Sequence, residues 1–278
     1  MNLENLTIED IQGMSYNEII GVVKETNRPP GGFNSVVRII QQTFIKEGSR
    51  VLDIGTSTGF TAIEIARLTG ASVYGVDIND VSLSEARYRA ALYGVSQITS
   101  FEEEDATSLS YENSIFDVVI CGNVTSLIAN KEAALSEYCR VTKTGGFIVA
   151  IPIYYVKKPS DVLVKKVEKA IHCKIELLDR RFWLNFFSNE YLQISLLEDY
   201  VFDEIPETKV MEFVEIIMRR EHLQNMLPDA KKLLSEQYHK YMMLFRENLS
   251  YMGYTIIFLR KEPSFVDSEL FTSYRAIN

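Results

Sequence analysis

The chain has 278 residues, 46% of them hydrophobic, enough to bury a sheet with helices on both faces as one large domain or one domain with a cap. Its 38 acids outnumber its 29 bases, and a net charge of −9 argues against a nucleic-acid partner, since phosphate binding needs a basic surface. No apolar run approaches the ~20 residues of a membrane span, and the polar start Met1-Asn2-Leu3-Glu4 lacks a signal peptide's basic and apolar regions, so a cytoplasmic protein without a membrane partner is expected.

The first segments with helical character span 16–25 and 33–46, separated by Asn27-Arg28-Pro29-Pro30-Gly31-Gly32, whose prolines and glycines cannot continue a helix. Next, Val51-Leu52-Asp53-Ile54-Gly55-Thr56-Ser57-Thr58-Gly59 reads as an apolar strand that ends on an acid, enters a glycine turn and leads into a helix over 60–68. Glycines at 55 and 59 let the backbone turn sharply and approach a ligand that a Cβ would push away. The helix start then presents free N–H groups to that ligand. A second strand over 72–76 ends at Asp77, where a carboxylate can accept both hydroxyls of a ribose. Two acids at two strand ends point to adenosine rather than to phosphate. A dinucleotide site wants Gly-x-Gly-x-x-Gly, but the corresponding positions read Gly55, Ser57 and Phe60, so that fingerprint fails at two of its three glycines.

A third strand is read from Ile98 and closes with Glu104-Asp105-Ala106, and Phe116-Asp117-Val118-Val119-Ile120-Cys121 is a buried fourth strand of the kind parallel sheets require. A helix over 132–141 leads through Lys143-Thr144-Gly145-Gly146 into a fifth strand over 147–152. Helices are expected over 160–171 and 188–197, the latter with Ser188 as N-cap and Glu190 in its first turn, and a sixth strand over 200–205. Val210, Phe213, Val214 and Ile217 fall at i, i+3, i+4 and i+7, and Leu234, Tyr238, Tyr241, Phe245 and Leu249 continue helical spacing beyond Pro228. Two long helices are therefore inserted before a seventh strand over 253–259, and 262–278 is a polar tail. The three cysteines (Cys121, Cys139, Cys173) and three histidines (His172, His222, His239) show no metal-ligand spacing, so no metal is expected.

Asp-x-Gly-x-Ser-x-Gly at 53–59, the strand-end Asp77, Phe-Asp-Val-Val at 116–119 and Arg-Val-x-Lys-x-Gly-Gly at 140–146 occur in an order that resembles the class I S-adenosylmethionine (SAM) dependent methyltransferases. The resemblance is specific over 47–155 and looser over 188–260; Ser57 departs from it, standing where that family usually has its middle glycine. It implies an α/β fold with a seven-stranded, mostly parallel, doubly wound Rossmann-like sheet. The implied organisation is a helical cap over 1–46, a SAM-binding core over 47–205 and 253–261, and a helical lid over 206–252. It also implies SAM as cofactor and S-adenosylhomocysteine (SAH) as product. Asp53 would then sit under the methionine moiety and order the turn, with Gly55 and Gly59 giving close backbone approach and Thr56 and Ser57 between them. Asp77 would hold the ribose, Ile78 pack on the adenine face, Asp105 accept from the adenine amino group, and Ala106 lie beside the ring. In such a fold the 27–32 loop lies near the methionine end, where Tyr16 and Arg28 would close over the cofactor, Arg28 through its planar fork. A plain connector with a solvated arginine is equally open.

Methyl transfer by in-line displacement needs little beyond alignment of nucleophile, methyl and sulfur, and no catalytic motif stands out. Asn123, just after the fourth strand, is a candidate contact for cofactor or substrate, and Tyr154 and Tyr155 are the other catalytic candidates; no histidine is assigned. Tyr154, Tyr155, Trp183, Phe186, Phe187 and Tyr241 are candidates to line a partly aromatic acceptor pocket, where ring faces stabilise a sulfonium by ~0.5–2 kcal/mol per contact. Each can equally be an ordinary core aromatic. The expected function is methyl transfer to a small, partly apolar metabolite, with room for a homodimer. Two readings stay open beside it: other SAM chemistry on the same fold, either another group transfer or an intramolecular cyclisation, and a non-catalytic SAM-binding partner subunit. The acceptor atom, O, N, S or C, does not follow from the sequence.

Overall fold

Local signals start each helix before the sheet begins. In the computed structural model, which describes residues 3–189 and 191–262, helices α1 (Ile8–Gly13) and α2 (Tyr16–Val23) each open with a capping box. Thr7 pairs with Asp10 and Ser15 with Glu18, two reciprocal bonds that satisfy amides the helix leaves free. Pro29 and Pro30 keep the next helix, α3 (Gly32–Thr43), from joining α2. The chain then alternates strand and helix: β1 (Arg50–Ile54), α4 (Phe60–Thr69), β2 (Ser72–Asp77), α5 (Asp80–Leu92), β3 (Thr99–Glu103), β4 (Phe116–Gly122), α6 (Lys131–Val141) and β5 (Thr142–Ala150). After β5 come β6 (Ile153–Tyr155), α7 (Asp161–Ile171), α8 (Arg180–Phe187), β7 (Leu192–Val201), α9 (Glu207–Met218), α10 (Pro228–Leu249) and β8 (Met252–Lys261).

The strands form one sheet in the order β3-β2-β1-β4-β5-β8, with β7 on the other side of β8. Strands β1 to β5 are parallel, while β8 runs antiparallel to β5, β6 and β7. The short β6 continues the line of β5: Ala150 pairs with Ile257 and Ile153 with Tyr254 in one unbroken register along β8. Pro152 between them has no N–H to give, so the strand expected over 147–152 ends at Ala150, the further segment β6 follows it, and the sheet is built from eight segments where seven strands were read.

Two sequence expectations fail at the same place. Residues 188–197 are not a helix: Ser188 is the C-cap of α8, which Asp179 starts, and β7 begins at Leu192 and ends at Val201, earlier than the strand expected over 200–205. Glu190 lies outside the described residues, as does the tail beyond 262. The cause is a bulge at Ser195, where the β7–β8 register shifts between Ile194 and Leu196. Leu192, Ile194 and Leu197 consequently pack on one face of the sheet and Leu196 on the other. A step of three between Ile194 and Leu197 imitates helical spacing within a strand.

Three apolar cores result. On one face of the sheet, Val36 and Ile39 of α3 join Ala62 and Ile65 of α4 and Leu83 and Ala86 of α5. On the other face, Leu135 and Tyr138 of α6 and Trp183 and Phe187 of α8 pack on Ile257 and Leu259. The third core is helical and joins the first helices to those that precede β8: Ile11, Ile19 and Val23 pack with Val214, Ile217, Leu223, Leu234 and Tyr238. Among the described residues no helix is long and apolar enough to cross a membrane.

Because Leu234 is fully buried in that shared core, Leu234→Ala should cost about 2–5 kcal/mol of stability. Amide exchange should accelerate in α2 and α10 together. Acceleration confined to α10 would show that the two sets of helices are independent units.

Candidate cofactor and acceptor site

The parallel strands end side by side, and their carboxyl edge collects the acids. Asp53 in β1 is buried and accepts from Thr56 Oγ1 at 2.6 Å and from the Ala62 amide in the first turn of α4, so one carboxylate ties the strand to both the turn and the helix. Burial is the main cause that pushes its pKa up to about 7, opposed by those two bonds. The amides of Gly55 and Thr56 both donate to the Val76 carbonyl, at 2.8 and 3.0 Å, which lashes the turn to the end of β2. Asp77 accepts from the Ser57 amide at 2.9 Å and from the Asn79 amide at 3.0 Å. The Glu104 amide in turn donates to the Asp77 carbonyl at 3.1 Å, bringing the end of β3 and exposed Asp105 alongside. Asp105 accepts from the amide and hydroxyl of Thr107 through one oxygen, Oδ1, and those bonds hold its pKa below the usual range.

Steric limits explain the turn residues. Gly55 has φ +69°, and a Cβ there would stand 2.6 Å from the Val124 side chain in the segment after β4. Gly59 has φ +79°, and its Cβ would meet Ala86 of α5 at 2.8 Å. Ser57 also adopts a positive φ, +50°, which a side chain disfavours. Ile78 beside Asp77 is 76% exposed, an apolar face open to a ligand, whereas Ala106 is buried in the apolar core on one face of the sheet. A tight turn, two strand-end carboxylates and an exposed isoleucine beside Asp77 fit the polar ribose and flat adenine of an adenosine.

The remaining sequence candidates divide. Asn123 lies at the same edge, but its Oδ1 accepts from the Ile153 amide at 2.9 Å and so pins the start of β6. Tyr154 is buried, its hydroxyl bonded to Thr255 Oγ1 at 2.7 Å, whereas the Tyr155 hydroxyl donates to Asn248 of α10 at 2.7 Å. Trp183 and Phe187 are 2% and 0% exposed in the sheet core, with Phe186 packed against them, so α8 spends these rings on packing and not on a pocket wall. The rings that do meet between α2 and α10 are Tyr16, Tyr241 and Phe245, with centroids 5.3 and 4.7 Å from Tyr16. Arg28 lies over the Phe60 ring at 5.1 Å.

A polar cluster was missed in the sequence. Tyr238 of α10 donates to Glu25 Oε2 at 2.6 Å, joining residues 213 positions apart. Burial raises the Glu25 pKa against the opposing Tyr238 bond and the charges of Arg220 and Arg28; burial and the Glu25 charge together raise that of Tyr16. Nothing in the local pattern signals such a pair, because its members meet only through the shared helical core. The 24–28 segment is tied in turn to the glycine loop, as the Asn27 amide and Arg89 Nη1 both donate to Thr58 Oγ1, at 3.3 and 3.2 Å.

Two outcomes should follow. Ser57→Gly removes a disfavoured left-handed side-chain conformation and should stabilise the ligand-free chain by about 0.5–1 kcal/mol, read by urea unfolding, with SAH affinity within a few fold of wild type. Asp53 has a folded-state pKa of about 7 against an ordinary 3.8, so the folded chain holds a proton that the unfolded chain releases across that interval. Its contribution to stability should therefore fall as pH rises from 4 to 7. Asp53→Asn should remove that part of the slope and be the more stable protein above pH 7; identical pH profiles for the two proteins would refute the assignment.

Residues 45–177 match the family described as "Methyltransferase domain". The crystal structure of the MccD protein superposes with a TM-score of 0.72 at 26% identity, covering 85% of this chain and 100% of that one. A SAM-dependent methyltransferase from Thiobacillus denitrificans, solved with SAH, shares the fold with a TM-score of 0.62 at 18% identity, over 90% of this chain and 100% of that one. The ubiquinone/menaquinone biosynthesis C-methyltransferase UbiE of Azotobacter vinelandii is 35% identical over 133 residues, 47% of this chain and 51% of the relative, so the chain spans about half of that protein's length. With acids and glycine turn arranged at the strand ends as described, residues 45–177 carry a methyltransferase domain of the class I S-adenosylmethionine-dependent kind, for which S-adenosylmethionine is the cofactor.

Proposed function

We propose that the protein transfers the methyl group of SAM to a small, partly apolar metabolite in the cytoplasm. The observation that carries this reading is the row of Asp53, Asp77 and Asp105 on three adjacent strand ends around a turn too tight for a Cβ at Gly55. When bound, SAM supplies a methyl group on a positively charged sulfur. The chain's part is to hold and orient. Asp77 would accept the ribose hydroxyls and Asp105 the adenine amino group, Ile78 would cover the ring, and the turn from Gly55 to Gly59 would lie against the amino-acid end. Asp53 acts through the turn it orders.

The acceptor is proposed to enter between cap and lid, beside the ring cluster of Tyr16, Tyr241 and Phe245 and the half-buried Glu25 carboxylate. Such rings favour a cationic centre and an apolar acceptor body. A carboxylate with a raised pKa can hold the proton an acceptor gives up. Alignment, not a strong base, is then the main source of rate.

Asp77→Ala should weaken SAH binding by about 1.5–3 kcal/mol, measured by calorimetry on protein shown to be folded. Unchanged affinity would remove Asp77 from the site. Tyr241→Ala should change acceptor affinity and turnover while SAH binding stays nearly intact; a large fall in melting temperature with unchanged acceptor selectivity would make Tyr241 a packing residue only. Mass analysis of products formed from isotopically labelled SAM and candidate acceptors tests the reaction itself: a methylated acceptor supports it, and a product carrying any other fragment of SAM, or no turnover at all, overturns it.

A further inference from the structure

A second cavity-forming region lies beside the glycine turn and is lined by none of the strand-end acids. The start of α4, the later turns of α5, the segment after α2 and the connection from α9 to α10 enclose about 530 Å3. Phe60, Ile63, Tyr88, Leu92 and Tyr93 form an apolar wall, and Tyr88, Leu92 and Tyr93 are at least half exposed. Lys24, Arg28, Arg89 and Arg220 reach the same space.

Among the described residues two of these cations have no carboxylate within ion-pair distance, the Glu25 charge acting on both only from farther off. Glu85 is held by Lys24 at 3.8 Å and Arg89 at 2.8 Å, and Glu64 by Arg67 at 2.7 Å, leaving Glu221 as the remaining acid of the lining. Among the described residues Arg28 makes no hydrogen bond or ion pair and only overlies Phe60. Arg220 gives Nη1 to the carbonyls of Val23, at 2.8 Å, and Lys24, and has no acid within ion-pair distance. The local field is positive: burial and then the charge of Arg89 lower the Arg220 pKa, with Arg28 adding and Tyr238 and Glu25 opposing. Burial and the charges of Lys24 and Arg220 likewise lower that of His222, against its bond to the Val22 carbonyl and the charge of Glu85.

We propose that this cavity is an anion site that takes a phosphate or carboxylate group carried on an aromatic or aliphatic body, the charge between Arg28 and Arg220 and the body against Tyr88, Leu92 and Tyr93. Guanidinium forks match the oxygens of either group; Arg220 is half-buried with no salt bridge and gains most from an incoming anion, while Arg28 is exposed and free to turn toward it. The exposed rings would be covered by the ligand's body. This inference stands apart from the methyl-transfer reading.

Calorimetry on the full chain tests it with three probes: phenyl phosphate, inorganic phosphate and phenol. Phenyl phosphate should bind at least about tenfold tighter than inorganic phosphate because only it uses the apolar wall, and phenol should not bind detectably. Arg220→Gln and Arg28→Gln should each weaken phenyl phosphate about tenfold or more, the loss expected for a hydrogen bond to a charged group. Arg220→Gln should keep its SAH affinity within about threefold of wild type. Arg28→Gln keeps the test open if Arg220→Gln lowers the melting temperature, since Arg28 only touches Phe60. A crystal structure with SAH and phenyl phosphate separates two sources of the anion: a phenyl ring directed at Thr58 marks the handle of a methyl acceptor, and one directed at Tyr93 marks a separate ligand. Absence of phenyl phosphate binding at millimolar concentration, unchanged affinity in both variants, or equal losses of SAH and phenyl phosphate in Arg220→Gln would overturn the proposal. A wild type that binds phenyl phosphate but not SAH would sink the methyl-transfer reading and leave this one standing.

Discussion

One buried carboxylate holds the site together. Asp53 closes the central strand, accepts from the hydroxyl of Thr56 and from the amide of Ala62, and so fixes where the strand ends, how the turn runs and where α4 begins. Its neighbours depend on that geometry. Only with the turn in this place do the amides of Gly55 and Thr56 reach the Val76 carbonyl and that of Ser57 reach Asp77. Burying an acid costs stability in the ligand-free chain, as the upward push on its pKa shows. A site of this kind trades some stability for a turn held in one shape, which suits binding that works by alignment.

A helical core beside the sheet joins the first helices of the chain to the pair that precedes β8. Helices α1 and α2 cannot bury their apolar faces alone, and neither can α9 and α10; packed together they form a core separate from those of the sheet. That arrangement brings Glu25 to Tyr238, Tyr16 to Tyr241 and Phe245, and Arg220 to the carbonyl end of α2. The Asn27 amide and Arg89 are also bonded to Thr58, so the segment after α2 is tied to the glycine turn.

Aromatic side chains illustrate how position in the sheet, rather than residue type, sets their role. Trp183 and Phe187 sit on the face of α8 that meets β8, where burial of ring area stabilises the core, whereas Tyr16 and Tyr241 sit on α2 and α10, where those helices meet. Tyr154 and Tyr155 are consecutive in a strand, so their side chains leave opposite faces: one reaches Thr255 within the sheet and the other Asn248 of α10.

The sequence by itself determined the parallel half of the sheet, the glycine turn and the acids at its edge. These are set by short-range rules: apolar runs that fit buried strands, glycines that tolerate positive φ, and carboxylates placed at strand ends by their position in the run. Beyond the fifth strand, local rules gave way. The bulge at Ser195 changed a two-residue period into a three-residue step, and the strand that ends before Pro152 has its register continued by β6; both depend on the partner strand β8, some sixty to a hundred residues away in Phe258 and Ile257. The core shared by α1, α2, α9 and α10, the Glu25–Tyr238 bond and the meeting of Arg28 with Arg220 were decided only by the tertiary structure. Each joins segments whose encounter is driven by burial of apolar surface across the whole chain, a non-directional force that leaves no mark on the residues next to it in sequence.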